Sequence, residues 1–277
     1  MTAADPYRPS RRRVGIAGFG TIGRRVAIAL DDGVDGLELV GVCGRDRAKA
    51  ETGVKQLRTT PPILSPAELA DTAEIIVECV PKTAFFEIVQ PLVTAGRTVV
   101  TVSGAGLLEH PEVIDTAARS GAQIILASGA LLGLDAVRAA AEGDIDEVTM
   151  VTRKPPHSLA GAPYLDKHSI DVRNLDVPLM VFSGSAREGA AGFPANVNVA
   201  AALGLAGIGA DRTKLEIWAD PHVTRNIHTI RVESAEVRFE MKIENVPTEE
   251  NPATGKLTAL SVIACLRGLA APLKVGS

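Results

Sequence analysis

Cysteine is scarce. Cys43, Cys79 and Cys265 are the only three in 277 residues. No two share a C-x-x-C spacing, so neither a disulfide framework nor a zinc site is suggested. Each falls in an apolar stretch and reads as a buried structural thiol. An excess of one charge is also missing: a net charge of −4 gives no electrostatic footprint for nucleic acid or an anionic membrane. No run of about 18 apolar residues occurs, which excludes a membrane-spanning helix by hydropathy. Arg11-Arg12-Arg13 follows no apolar core of the kind an export signal needs. Residues 1–11 therefore read as a frayed tail, and the expected compartment is the cytoplasm. Repeats and low-complexity tracts are absent. What is present is ordinary for a globular enzyme: 46% apolar residues, 22% charged, and a length that suits two domains.

The chain is organised around Val14-Gly-Ile-Ala-Gly-Phe-Gly-Thr-Ile-Gly-Arg24. An apolar strand runs into Gly18-x-Gly20-x-x-Gly23, and an apolar-periodic helix follows through Leu30. Gly18 permits the tight turn, Gly20 lets a pyrophosphate approach the backbone, and Gly23 lets the helix pack against the strand. The spacing alone is weak; strand before and helix after strengthen it. Gly18, Gly20, Thr21, Ile22 and Gly23 are expected to contact a nicotinamide dinucleotide at the helix N-terminus, where unpaired N–H groups favour negative charge. The second strand, Leu37 to Cys43, runs out into Gly44-Arg45-Asp46-Arg47 with no acid at its tip. Arg45 either meets a 2′-phosphate or adenine, so that NADP is accepted beside NAD, or merely solvates a turn.

Strands and helices then alternate to Ala127, which argues a Rossmann-type, doubly wound parallel sheet of the α/β class. Loops at Pro81, Ser103 and Ser128 follow strand ends and are expected to line the cofactor cleft. From about residue 130 the pattern changes to alternating strands: Glu147 to Arg153, Asp176 to Phe182, Lys214 to Asp220, Thr224 to Val232, and Ala235 to Ile243. These predict a second α+β domain on a mixed or antiparallel sheet with one solvated or ligand-facing side. The expected division is 1–129 for the dinucleotide domain and 130–250 for the substrate domain, with a C-terminal helix in 251–277 packing back.

Hydride transfer belongs to the cofactor, so the protein must orient substrate and manage a proton. His157, His168, His222 and His228 are the imidazoles available in the second domain, with Lys154 and Lys167 as alternatives. Strand alternation sets Thr224, Asn226 and His228 on one face, either a ligand-facing surface or a solvated one. His222 follows Pro221 in a predicted turn and reads as surface. Asn196 and Asn198 open an Ala-rich helix, either as caps or as amides for the nicotinamide side of the cofactor. Lys154 ends a strand, either holding a substrate carboxylate or solvated.

With these pieces in place the chain resembles the L-aspartate dehydrogenase family. The resemblance covers nearly its whole length. Its specific motifs are Ser128-Gly-Ala-Leu-Leu-Gly-Leu-Asp135, Thr152-Arg-Lys-Pro-Pro156, Phe193-Pro-Ala-Asn-Val-Asn-Val-Ala200, Asp220-Pro-His-Val-Thr-Arg-Asn-Ile-His228 and Asn251-Pro-Ala-Thr-Gly-Lys-Leu-Thr-Ala-Leu-Ser261. It implies NAD(P)-dependent oxidation of L-aspartate to iminoaspartate, or the reverse reductive amination, and a link to NAD biosynthesis. It also implies His228 as the catalytic histidine and Ala130 and Asn198 as cofactor contacts. Lys154, Asn196 and Asn226 are then expected at the substrate. One departure stands out: the family commonly reads Gly-Ala-Ile-Gly-Gly-Leu-Asp where this chain has Leu131-Leu132 before Gly133. A homoserine-dehydrogenase-like or dihydrodipicolinate-reductase-like enzyme, or a non-catalytic dinucleotide sensor, would share the same architecture. A homodimer is expected to form through an apolar face of the second sheet.

Overall fold

In a computed structural model that describes residues 11–193, 198–250 and 254–276, the first half of the chain is a strand-helix alternation. The order is β1 (Arg12–Ala17), α1 (Thr21–Gly33), β2 (Leu37–Cys43), α2 (Arg47–Val54), α3 (Pro66–Thr72), β3 (Ile75–Glu78), α4 (Phe85–Thr94), β4 (Thr98–Thr101), α5 (Gly104–Glu109), α6 (Glu112–Ser120) and β5 (Gln123–Leu126). The five strands form one parallel sheet in the order β2-β1-β3-β4-β5. Its central strands are apolar on both faces, as a sheet covered on both sides by helices requires: Val14, Ile16, Ile75, Ile76, Val77, Val99 and Val100 are fully buried. In α1, Gly23, Val26, Ala27 and Leu30 are buried, the spacing of one helical stripe. Ser65 and Glu68 close a capping box at the start of α3. α6 stops at Gly121, whose φ of +74° is a left-handed C-terminal turn.

The second half runs α7 (Leu134–Ala140), β6 (Ile145–Lys154), α8 (Pro163–Lys167), β7 (Leu179–Ser185), α9 (Ala186–Gly192), α10 (Asn198–Ala206), β8 (Lys214–Ala219), β9 (Asn226–Ser234), β10 (Arg238–Asn245) and α11 (Lys256–Ala270). Its strands form a mixed sheet in the order β10-β9-β6-β8-β7, in which only β6 and β8 are parallel. One face packs Val148, Met150, Leu215, Ile217, Ile230 and Val232 under residues of α5, α7, α9 and α10. The other face carries half-buried Thr149, Val151, Trp218, Ile227 and Thr229 among surface ion pairs such as Lys214–Glu147 (2.5 Å) and Arg231–Glu240 (2.5 Å).

Several boundaries differ from the sequence reading. The loop expected at Ser103 is short, Val102 and Ser103 alone, and helix α5, which the sequence reading did not mark, follows from Gly104. It groups with the second half: one compact unit comprises residues up to 101, 110–127 and 262–277, the other 102–109 and 128–261. The division therefore passes through α11, whereas the sequence placed it at 129/130 and treated 251–277 as one segment. Small residues in α5 explain its partner: a Cβ on Gly104 would stand 3.1 Å from Asn198 O and 3.2 Å from Ala202 N, so its backbone lies directly on α10. The fourth expected strand begins at Asn226 and leaves Thr224 in an exposed bend outside it, because Asp220 and the residues after it turn before the ladder with β6 starts.

Candidate active site

The glycine turn between β1 and α1 is shaped by close approach. At Gly18, φ is +101°, and a Cβ there would stand 2.5 Å from Cys79 O. A Cβ on Gly23 would stand 1.9 Å from Gly18 O. Around Gly20 the situation is reversed: among the described residues, its chain neighbours aside, nothing lies within 4 Å of where its Cβ would be. Gly20 is the N-cap of α1 and brings no side-chain acceptor to the helix end, and the first turn carries no acidic residue. Thr21 and Ile22 follow half-buried in that first turn. An open, uncapped helix start with a floor of backbone fits a pyrophosphate.

Beyond β2, Asp46 caps α2 by accepting from Lys49 N at 3.0 Å, and Arg47 pairs with Glu51 at 3.3 Å. Arg45 is exposed at the turn. Local capping thus accounts for two of the charged residues in Arg45-Asp46-Arg47 and leaves the third at the surface beside the strand tip.

In the second unit, the chemistry-bearing residues lie on the covered face of the sheet. Along β6 that face reads Val148, Met150, Thr152, Lys154; along β9, Val232, Ile230, His228, Asn226; along β10 it ends in Ile243 and Asn245. Register places Met150 opposite Ile230, Thr152 opposite His228, and Asn226 opposite Asn245. One sheet face is therefore aliphatic at one end and polar at the other, and both ends are buried. His228 is 2% exposed and Lys154 3%. The solvated-face alternative for Asn226 and His228, and the solvated-lysine alternative for Lys154, are both overturned, because the face that strand alternation could only mark as polar is buried.

His228 Nδ1 lies 3.0 Å from Thr152 Oγ1, which fixes the ring plane and leaves Nε2 as the second working nitrogen. Burial, and then the neighbouring Lys154 charge, hold the imidazole down to about 3. The ring is thus neutral at physiological pH. Burial pushes the Lys154 ammonium down to about 8. Asn226 is buried beside them.

The loop after β5 is held from two sides. Asn245 Nδ2 donates to Ala130 O at 2.9 Å, and Gly129 N donates to Ser261 Oγ at 3.0 Å. Leu131 points into the core, whereas Leu132 is half exposed next to Ala130. Asn198 opens α10, and its Oδ1 accepts from Ala105 N at 3.1 Å, the structural alternative for that residue. Asn196 lies outside the described residues. His157, His168 and His222 are exposed, with His168 stacked on Tyr164 at 4.1 Å.

Two participants escaped the sequence reading. Thr152 shares the Lys154 face by simple alternation, a signal that was available. Asn245 lies two residues past the expected end of its strand and is meaningful only through its cross-strand partner Asn226 and the Ala130 carbonyl.

Known proteins resemble this chain along its whole length. A family described as "Aspartate dehydrogenase, C-terminal" matches residues 135–269, and "Homoserine dehydrogenase, NAD binding domain" matches residues 18–127. The L-aspartate dehydrogenase of Bradyrhizobium diazoefficiens is 51% identical over 99% of this chain and 97% of its own length. L-aspartate dehydrogenase 3 of Bordetella bronchiseptica is 49% identical over 95% of this chain and 97% of its own. The crystal structure of aspartate dehydrogenase from Thermotoga maritima superposes with a TM-score of 0.72 at 25% identity, covering 96% of this chain and all of that one. A homoserine dehydrogenase from Thiobacillus denitrificans shares the fold at 16% identity with a TM-score of 0.60. Full-length similarity at this level places the chain in the L-aspartate dehydrogenase family.

Proposed function

We propose that this chain oxidises L-aspartate to iminoaspartate with NAD+ or NADP+, the imine hydrolysing to oxaloacetate and ammonia, or runs the reverse reductive amination. The observation that carries the reading is the buried polar end of the second sheet, where Thr152, Lys154, Asn226 and His228 converge. A nicotinamide dinucleotide bound to this chain would supply the hydride acceptor for the aspartate Cα. Gly18, Gly20, Thr21, Ile22 and Gly23 would hold the dinucleotide phosphates at the open start of α1. Arg45 serves the adenosine end and admits NADP. Ala130 and Asn198 contact the nicotinamide side.

His228, oriented by Thr152, accepts a proton from the water that adds to the imine carbon. The oxygen bonds to that carbon, the C–N bond breaks, and the nitrogen departs as ammonia after protonation. Lys154 in its charged form holds a substrate carboxylate, and Asn226 hydrogen-bonds beside it; Asn196 is assigned to the substrate from the family motif alone. The buried setting suits these tasks, because charge pairing is stronger where water is excluded.

The same proposal includes a homodimer, with a second copy covering the half-buried face of Val151, Trp218 and Ile227, a cytoplasmic location, and supply of iminoaspartate to NAD biosynthesis. Initial rates with NAD+ and NADP+ against L-aspartate, and with oxaloacetate plus ammonia in reverse, test the reaction. Turnover on aspartate and none on homoserine or dihydrodipicolinate is expected. Dinucleotide binding with no turnover on any amino or oxo acid would instead mark a sensor.

A further inference from the structure

At the tip of β3 a carboxylate is buried to which no part of the chemistry above assigns a task. Glu78 is inaccessible to solvent. Its Oε1 accepts from Val80 N at 2.7 Å, and its Oε2 accepts from the hydroxyl of Thr101, the register neighbour on β4. The surrounding strands are aliphatic, with Ile76, Val77, Val99 and Val100 all fully buried. Removing a carboxylate from water carries a desolvation penalty that an apolar side chain avoids. A sheet that needed nothing but cohesion would be served by Val or Leu at this position.

The peptide that Glu78 grips is the one on which the glycine turn rests. A Cβ on Gly18 would stand 2.5 Å from Cys79 O and 2.9 Å from Val80 N, so the turn lies directly on the Cys79–Val80 peptide. Cys79 N donates to Ala17 O at 2.9 Å, and Cys79 Sγ donates to Gly18 O at 3.0 Å. The same sulfur accepts the Gly23 amide. Rotation of the Cys79–Val80 peptide would therefore shift both ends of the turn, and the Glu78 carboxylate is what fixes the Val80 N–H.

We propose that Glu78, held by Thr101, is a positioning residue for dinucleotide binding: it sets the Cys79–Val80 peptide and through it the Gly18–Gly23 turn. Being buried, Glu78 acts through that peptide and not on the cofactor. The inference rests on reading the turn as the dinucleotide site.

The test uses the full chain with Glu78→Gln, Thr101→Val and Thr101→Ser, and Val99→Ala as a destabilised control in the same sheet. NADH and NADPH affinity is read by fluorescence, alongside kcat, both KM values and the thermal midpoint. Glu78→Gln and Thr101→Val are expected to raise dinucleotide Kd about tenfold, with kcat at saturating cofactor and the aspartate KM within roughly twofold of wild type. Thr101→Ser keeps the hydroxyl and retains wild-type Kd. Val99→Ala lowers the thermal midpoint without moving Kd. A folded Glu78→Gln or Thr101→Val protein with unchanged Kd overturns the proposal, and so does a Val99→Ala protein whose Kd rises equally. If Glu78→Gln does not fold, Thr101→Val decides by the same criterion. A wild-type chain that binds neither NADH nor NADPH overturns the dinucleotide reading itself, an outcome distinct from the others.

Discussion

At the scale of single residues, the decisive property is burial of groups that water would otherwise keep charged. Replacing His228 by Asn keeps a polar side chain but removes the proton acceptor. We expect kcat to fall about 10²- to 10⁴-fold with dinucleotide Kd unchanged; a smaller loss would take the imidazole out of the proton step. Thr152→Val leaves Nδ1 without its partner, at about 1–3 kcal/mol in transition-state stabilisation, read in kcat/KM for aspartate.

Stability follows the same groups. His228 is held down to about 3 in the folded chain, against about 6.5 when unfolded. The unfolded state thus takes up the proton first as pH falls. The contribution of His228 is complete above about 6.5 and is lost progressively toward about 3. Between pH 6.5 and pH 5, urea unfolding should show the wild type losing about 2 kcal/mol more than His228→Asn. Lys154, pushed down to about 8, obeys the same sign at alkaline pH: its contribution is lost as pH falls from about 10.4 to about 8. Its task in holding a carboxylate needs the charged form. The aspartate KM is therefore expected to rise above about pH 8 in the wild type and to be high but flat in Lys154→Met.

Among elements, the β1–α1 turn separates what folding requires from what binding requires. Gly18 and Gly23 are pressed against backbone, whereas Gly20 faces open space. Gly20→Ala is accordingly expected to fold with a thermal midpoint close to wild type, since its φ of −90° suits alanine. The added methyl occupies the space of the phosphates, and dinucleotide KM should rise at least about tenfold while the aspartate KM stays put. Gly18→Ala, by contrast, meets the Cys79 carbonyl and should lose thermal stability before any binding is measured. The two variants together distinguish a cofactor cradle from a merely tight turn.

For the molecule as a whole, a ligand that binds only the folded state stabilises it by mass action. NADH at 100 times its Kd should add about 2.7 kcal/mol to the unfolding free energy of wild type, and much less to Gly20→Ala at the same concentration. Light scattering tests the proposed homodimer. A monomer at assay concentration would leave the half-buried face of the second sheet without its proposed cover, and a Val151→Lys protein that stays dimeric would move the interface elsewhere.

How much of this is legible in the sequence follows from the range of the forces involved. The parallel sheet, the glycine turn and the change of pattern near residue 130 are local signals, written as periodicity and turn chemistry within a dozen neighbouring residues. Arrangements between distant segments were less legible. Alternation could mark His228 and Asn226 as sharing a face, yet whether that face met water depended on packing against segments far away in sequence. The assignment of α5 to the second unit depends on Gly104 lying on α10. The role of Asn245 depends on Ala130, and that of Glu78 on a peptide touching Gly18. The sequence by itself thus determined the elements, the family and the dinucleotide turn. Only the tertiary structure decided which polar groups are buried together, because burial and the pKa values that follow from it are properties of packing between segments that the chain keeps far apart.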